Sequence, residues 1–153
     1  MVSICGSSGA SLFSTNADAL VNPVNCVGVM GAGLALAFRE HYPQASRAYQ
    51  VYCRQAPGLR PGQVFSAETG GFSPRWVVHF PTKDHWIQDS RMDFIESGLV
   101  ALVQEVRRLE VRSIAIPALG CGLGGLDWTE VRSRIEAAFA PLTAVRVVLF
   151  PPR

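Results

Sequence analysis

The sequence predicts an α/β fold in three layers (α/β/α), with helices on both faces of a central sheet. Its most apolar stretches are Ala19–Val24, Trp76–Phe80, Ser113–Pro117 and Val145–Phe150. These runs are continuous rather than alternating, as in strands that are buried on both faces. Segments with a helical spacing of apolar residues separate them. The 153 residues suffice for a compact unit with a sizeable core, so we expect a single domain over residues 1–153.

The N-terminal half is predicted to hold two further strands and two helices. Short apolar segments at Val2–Cys5 and Val64–Ala67 predict the strands. Gly33–Tyr42 contains good helix formers and is followed by Pro43, which ends a helix. Gln44–Cys53 is predicted as a second, short helix, with Ala45, Ala48 and Tyr49 as its packing face.

The C-terminal half is predicted to hold the longest helix and one more. The longest helix is expected to start at Ser90, which forms a capping-box-like pair with Asp93. Apolar residues then recur at helical spacing over the range 95–109 and give one buried face. Asp127 precedes the last helix and is predicted to be its cap.

The composition is that of an ordinary globular protein, 48% hydrophobic and 17% charged with a formal net charge of +2. The longest apolar run, Cys26–Phe38, is interrupted by glycines and is shorter than the roughly 20 residues that a membrane span needs. The N-terminus has neither the basic start nor the apolar core of a signal peptide. The four cysteines have no metal-ligand spacing. We therefore expect reduced thiols, no metal, no cofactor, no membrane partner and a cytoplasmic location.

Two glycine-rich loops each follow a predicted strand and precede a helix. The first lies between Asn25 and Leu34, and the second spans Gly120–Gly125. Glycines let backbone N–H groups approach an anion, and the start of a helix adds unpaired donors and a positive dipole end. Because such loops meet at the carboxyl edge of an open α/β sheet, the pair suits a diphosphate. Neither loop is a P-loop or a dinucleotide fingerprint, and tight turns that bind nothing are the alternative.

Lys83 is the only lysine among 14 basic residues. It lies in FPTKDHW, directly after a buried strand, and therefore at the same predicted edge as the glycine loops. Lysine can act as a nucleophile and arginine cannot, so we predict a functional role against the alternative of a solvated surface amine. Apolar walls such as Phe80 and Trp86 would favour the neutral amine. Trp86 itself either stacks on a base or sugar or packs internally, and His79 is predicted to be a core residue.

Three strings carry a family resemblance: ADALVNPVNCVGVMGAGLALAF, FPTKDHW with its trailing helix, and PALGCGLGGLDW. With them the chain resembles a macrodomain over residues 12–150, and within that superfamily the DNA ADP-ribosyl glycohydrolase antitoxins and related terminal ADP-ribose glycohydrolases. The resemblance implies a mixed central sheet between helical layers and a site for ADP-ribose.

The resemblance also implies site residues. Lys83 would carry catalysis by attacking the anomeric carbon of the distal ribose. The two glycine loops would clamp the diphosphate and that ribose, and the two asparagines before the first loop would shape the ribose pocket. The residues implied to bind ADP-ribose are Ser11, Leu12, Asn22, Asn25, Gly28, Val29, Met30, Gly31, Gly33, Leu34, Gly120, Cys121, Gly122, Leu123, Gly124, Gly125 and Leu126.

The chain departs from the family pattern at Gly124, where the protein-directed relatives have an acid that helps release the product. A glycine there agrees with the DNA-directed group and leaves the identity of any acid open. Asp84, His85 and Asp127 are candidates for that acid, and His85, Trp86 and Asp127 are candidates for contact with the target.

A second departure lies at the end of the first strand. Most macrodomains carry Gly-Asp there, and the Asp accepts a hydrogen bond from the adenine amino group. This chain has Ala10 and Ser11 instead. A hydrogen bond to a charged group is worth roughly 1.5–3 kcal/mol against about 1 for a neutral one, so we predict weaker adenine selectivity than in typical members.

The resemblance implies an enzyme that removes ADP-ribose from a modified target, with ADP-ribosylated thymidine in single-stranded DNA as the expected substrate. Two alternatives share the pocket. One is a module that binds ADP-ribose without hydrolysis, and the other is a hydrolase of ADP-ribosylated glutamate on protein. A cognate ADP-ribosyltransferase toxin is the implied protein partner.

Overall fold

A computed structural model describes residues 2–4 and 11–152, and these residues form a six-stranded mixed sheet. The strand order is β1-β6-β5-β2-β4-β3, with β3 antiparallel to β4 and every other neighbouring pair parallel. The strands are β1 (Val2–Ile4), β2 (Ala19–Val24), β3 (Phe65–Glu68), β4 (Trp76–Pro81), β5 (Ser113–Pro117) and β6 (Arg146–Phe150). The prediction of a mixed sheet is confirmed.

Four α-helices of the described chain cover the sheet. They are α1 (Gly33–His41), α2 (Pro43–Arg54), α3 (Met92–Leu109) and α4 (Trp128–Phe139), and a short 3-10 helix occupies Leu12–Ser14. The core has two parts: α3 and α4 pack on one face of the sheet, and α1 and α2 pack on the other. In β2, Val21 faces the first part while Leu20 faces the second. The three-layer α/β/α prediction is confirmed.

Most element bounds agree with the sequence prediction to within two residues. The strands β2 and β5 have the predicted ends, while β3 is shifted by one residue and β4 includes Pro81. Pro43 stands inside the first turn of α2 rather than before it, where the missing N–H costs nothing. Position 5 of the predicted first strand lies outside the described residues.

The predicted cap of α3 is wrong. The helix begins at Met92, its N-cap is Arg91, and no side chain caps it. The Arg91 guanidinium pairs with Asp93, so Asp93 is not half of a capping box. By contrast, the Asp127 carboxylate accepts the N–H of Glu130 at 3.2 Å and caps α4 as predicted.

No helix in the described residues is long and apolar enough to cross a membrane. Within the same residues, no group of three or more His, Cys, Asp or Glu side chains is placed to hold a metal ion.

Candidate functional site

The site is built at the carboxyl edge of three neighbouring parallel strands. In the sheet β2 lies between β5 and β4, so the segments that follow these three strands emerge side by side. They are the first glycine loop (residues 25–33), the lysine segment (residues 82–90) and the second glycine loop (residues 120–125).

Asn25 shapes the first glycine loop from beneath. Its side-chain oxygen accepts the N–H groups of Val27, Gly28 and Val29 at 3.0, 3.1 and 3.3 Å. Its amide nitrogen donates to the carbonyl of Val29 at 2.9 Å, and the Tyr49 hydroxyl donates to its oxygen at 3.1 Å. The residue is only 7% exposed. The Asn25 side chain therefore fixes the backbone of the loop from Val27 to Val29 through four hydrogen bonds.

Gly28 shows why the loop needs glycine. Its φ is +87°, and a Cβ on it would lie 3.3 Å from Cβ of Cys53, so a side chain would meet both strain and crowding. At Gly31 a Cβ would meet nothing within 4 Å, so the loop is open to solvent there. The helix α1 that follows has Ala32 as N-cap and no side-chain cap, which leaves its first-turn donors and positive dipole end free for an anion.

Asn22 belongs to a buried polar chain rather than to the loop. Its amide nitrogen lies 3.2 Å from Nδ1 of His79, and Nε2 of His79 lies 3.1 Å from the carbonyl of Ala45. The carbonyl can only accept, so Nε2 carries the proton and Nδ1 accepts from Asn22. Burial lowers the pKa of His79 to about 3, so the imidazole is neutral, and its predicted core position is confirmed. The Asn22 side-chain oxygen has no hydrogen-bond partner.

The lysine segment runs directly beside the first glycine loop. The N–H of Thr82 donates to the carbonyl of Val24 at 3.0 Å, and the N–H of Cys26 donates to the carbonyl of Asp84 at 3.0 Å. Lys83 is the residue between these two bonds, so the backbone itself places it next to the loop. Its side chain is half-buried.

Phe80 and Trp86, the two apolar side chains expected to enclose the Lys83 amine, have different surroundings from those predicted. Phe80 is fully buried in the layer of α3 and α4, and its ring occupies the place that a side chain at Gly98 would need. Trp86 is 55% exposed and its ring lies 5.4 Å, centroid to centroid, from that of His85. The expectation that Phe80 shields the amine is therefore wrong, and an internal packing role for Trp86 is excluded.

The second glycine loop lies close to the end of the first, where α1 begins. A Cβ on Gly33 would lie 3.6 Å from Cδ1 of Leu123, and Leu123 is 78% exposed. The loop closes on itself through the N–H of Leu126, which donates to the carbonyl of Gly120 at 2.9 Å. A Cβ on Gly122 would meet nothing within 4 Å. Each loop thus has an exposed glycine, Gly31 in the first and Gly122 in the second, with open space beside its backbone.

Each of the three candidate acids, Asp84, His85 and Asp127, contacts another group of the protein. Asp127 caps α4. Asp84 lies beside the thiol of Cys26, and burial together with that carboxylate raises the pKa of the thiol to about 12. His85 accepts the N–H of Ile87 through Nδ1 at 3.3 Å.

Burial, with a smaller contribution from Asp127, likewise raises the pKa of the Cys121 thiol to about 11, so neither loop carries a thiolate at neutral pH.

Ser11 and Leu12 lie at the start of the 3-10 helix. The Ser11 hydroxyl accepts the N–H of Phe13 at 3.1 Å and caps that helix, and Leu12 is buried against the layer of α1 and α2. Ala10 lies outside the described residues, so the predicted loss of adenine selectivity stays a prediction.

Sequence reasoning missed Ser90 as a site residue. Its backbone N–H donates to the carbonyl of Gly124 at 3.1 Å. A Cβ on Gly124 would overlap the Ser90 hydroxyl and would lie 2.6 Å from the carbonyl oxygen of Gly120. An acidic side chain therefore has no room at position 124 while Ser90 is present. Nothing in the sequence alone brings residues 90 and 124 together.

The fold and the two loops define a class: an α/β/α domain with two glycine loops at the carboxyl edge of its mixed sheet. The family described as Macro domain matches residues 21–135. The chain belongs to the macrodomain family.

Three relatives illustrate where in the family it lies. A protein of Thermus aquaticus named DNA ADP-ribosyl glycohydrolase is 43% identical over 143 residues, which are 93% of this chain and 39% of that protein. The structure of the macrodomain of Mycobacterium tuberculosis DarG superposes with a TM-score of 0.93 at 41% identity, covering 99% of both chains. The structure of Thermosipho africanus DarTG in complex with ADP-ribose has a TM-score of 0.85 at 32% identity, covering 99% of this chain and 41% of that one. The chain thus spans about two fifths of the length of the Thermus aquaticus relative.

Proposed function

We propose that this chain is an ADP-ribosyl glycohydrolase whose substrate is ADP-ribosylated thymidine in single-stranded DNA. The observation that carries the proposal is the position of Lys83, held by two backbone hydrogen bonds beside a glycine loop whose end lies close to a second one. The names of the Thermus aquaticus and Mycobacterium tuberculosis relatives support the reaction class. The complex of the Thermosipho africanus protein supports ADP-ribose as the ligand.

In the proposed mechanism the two loops hold the diphosphate by backbone N–H groups and the positive end of α1. The lone pair of Lys83 Nζ attacks the anomeric carbon of the distal ribose. A C–N bond forms to Nζ, the bond to the target breaks, and the target leaves with the electron pair and takes up a proton. Water then adds to the anomeric carbon, Nζ leaves with the electron pair of the C–N bond and regains a proton from that water, and ADP-ribose is released.

The test is release of ADP-ribose from an ADP-ribosylated thymidine oligonucleotide by the wild type, Lys83→Ala and Lys83→Arg. Both variants should lose at least about 10²-fold in rate, because arginine keeps the charge but cannot act as the nucleophile. Arg107→Ala is the matched control, since this exposed arginine lies in the last turn of α3, at the opposite end of the helix from Ser90. Equal release by Lys83→Arg and the wild type would remove the proposed mechanism.

One observation favours a second candidate, a module that binds ADP-ribose without cutting it: position 124 has no room for an acid. Calorimetry with ADP-ribose and the oligonucleotide assay separate the two, since binding without release from any conjugate would support the module. A third assay on glutamate-linked ADP-ribose tests protein as the target.

A transferase is the protein partner that we propose. The Thermosipho africanus relative is named as a fusion of a DNA ADP-ribosyl transferase and a DNA ADP-ribosyl glycohydrolase, which places the two activities on one chain there.

A further inference from the structure

The hydroxyl of Ser90 is buried and makes no hydrogen bond with the described residues. The residue is 6% exposed, and its Oγ is one of two buried side-chain polar atoms without a partner among the described residues. The other is Oδ1 of Asn22. Buried hydroxyls nearly always have a hydrogen-bond partner because an unpaired one is costly, so each exception needs an explanation.

The usual explanation for a serine before a helix does not hold here. Arg91 is the N-cap of α3, and no side chain bonds to the first turn. Within the described part of the chain, the one hydrogen bond of Ser90 that supports the fold is made by its backbone, from its N–H to the carbonyl of Gly124. An alanine would keep that bond.

The hydroxyl lies against the second glycine loop. A Cβ on Gly120 would lie 2.9 Å from Cβ and 3.2 Å from Oγ of Ser90, and a Cβ on Gly124 would lie 2.7 Å from Cβ of Ser90 and overlap its Oγ. The hydroxyl thus occupies the space into which a side chain at position 124 would project. It therefore lies directly against the backbone of Gly120 and Gly124.

We propose that Ser90 is a ligand-contacting residue, whose hydroxyl donates a hydrogen bond to an oxygen of the ribose–diphosphate part of ADP-ribose held on the second glycine loop. This inference rests on the proposed function. The loop covers Oγ, and because positions 120, 122, 124 and 125 are all glycine, no side chain at these positions hinders its displacement when the ligand enters. The Ser90 hydroxyl and the Gly120 carbonyl oxygen together leave no space for a side chain at position 124.

The experiment measures two quantities for the wild type and Ser90→Ala: the Kd of ADP-ribose by calorimetry and the Tm of the ligand-free protein. Removing an unpaired hydroxyl should leave the Tm unchanged or raise it. Removing a ligand hydrogen bond should weaken ADP-ribose binding by about 3- to 10-fold.

Ser46→Ala is the matched control. Ser46 is 1% exposed, but its hydroxyl donates to the carbonyl of Phe38 at 3.2 Å. This variant should lower the Tm and leave the Kd unchanged, the opposite of Ser90→Ala.

Equal Kd values for the wild type and Ser90→Ala would overturn the inference, because the hydroxyl would then make no contact with the ligand. A weaker Kd that is accompanied by a lower Tm would also overturn it, because it would indicate a structural role. A wild type that does not bind ADP-ribose would instead overturn the proposed function, and this inference with it.

Discussion

Replacing Asn25 by alanine tests whether the first glycine loop is shaped by one side chain. The substitution removes the acceptor of three consecutive backbone N–H groups and the donor to the Val29 carbonyl. Val27 and Val29 are exposed, so water can replace their lost bonds, whereas Gly28 is buried and its N–H keeps the Tyr49 hydroxyl oxygen as its remaining acceptor. The Tyr49 hydroxyl keeps its bond of 2.7 Å to the main-chain carbonyl of residue 25.

The magnitude follows from this count. A buried N–H costs about 1–3 kcal/mol when it is left unpaired, and the Tyr49 hydroxyl offsets part of this cost for Gly28. The exposed bonds cost a few tenths of a kcal/mol each after water replaces them, so we expect Asn25→Ala to lower the free energy of unfolding by about 1–3 kcal/mol. The loop would no longer hold its backbone N–H groups in place for the proposed ADP-ribose site. The affinity for ADP-ribose should therefore fall by more than the roughly 10-fold that a single lost hydrogen bond explains.

Urea unfolding followed by fluorescence gives the stability change, and calorimetry gives the affinity. Asn25→Asp is the companion variant, because the carboxylate keeps the acceptor for the three N–H groups but loses the donor and adds a negative charge beside the expected diphosphate. It should be more stable than Asn25→Ala and still bind ADP-ribose poorly. A destabilisation below about 1 kcal/mol for Asn25→Ala, together with wild-type affinity, would refute the assigned role.

Two further variants probe the core around the site. Gly98→Ala should destabilise the protein by about 1–3 kcal/mol in thermal unfolding, because the added Cβ overlaps the Phe80 ring. Gly31→Ala is the matched control, because a Cβ at that position would meet nothing within 4 Å. Equal Tm values for the two variants would contradict the packing of Phe80 against Gly98. The buried neutral His79 predicts a pH effect: its pKa is about 6.5 unfolded and about 3 folded, so the unfolded state binds the proton first and stability falls as pH drops from about 6.5 towards 3, by up to about 1.4 kcal/mol per pH unit. His79→Gln should flatten this part of the stability–pH curve, and a curve that keeps the wild-type slope would show that other groups cause the loss.

The sequence predicts the layers and most element bounds because local chemistry decides them. Continuous apolar runs give the buried strands, Pro43 ends the first helix because its ring cannot continue it, and Asp127 marks a helix start through its side-chain preference. The positions of the two glycine loops follow from the same pattern, since a loop after a parallel strand lies at the carboxyl edge of the sheet.

What the sequence did not reveal depends on contacts between distant segments. A strand that is apolar throughout has no alternation, so the sequence does not show that Phe80 faces α3 instead of the ligand. Ser90 has the residue type and spacing of a helix cap, but its N–H is bonded to Gly124 across the fold and the helix starts after Arg91. Only the tertiary arrangement separates a capping serine from a serine packed under a loop.

The pairing of β2 with β4 fixes the backbone position of Lys83. Parallel pairing sets Val24 of β2 opposite Pro81 of β4, and the same ladder continues past both strands through the bonds from Thr82 to Val24 and from Cys26 to Asp84. These are backbone bonds, so they persist whatever side chain stands at position 83. Within the described residues the Lys83 amine has no ion pair or hydrogen bond that supports the fold, so its replacement leaves the loop beside it in place. A loss of activity in Lys83→Arg with an unchanged Kd for ADP-ribose would therefore report on the chemistry of the amine, whereas a parallel loss of both would assign the side chain to ligand binding.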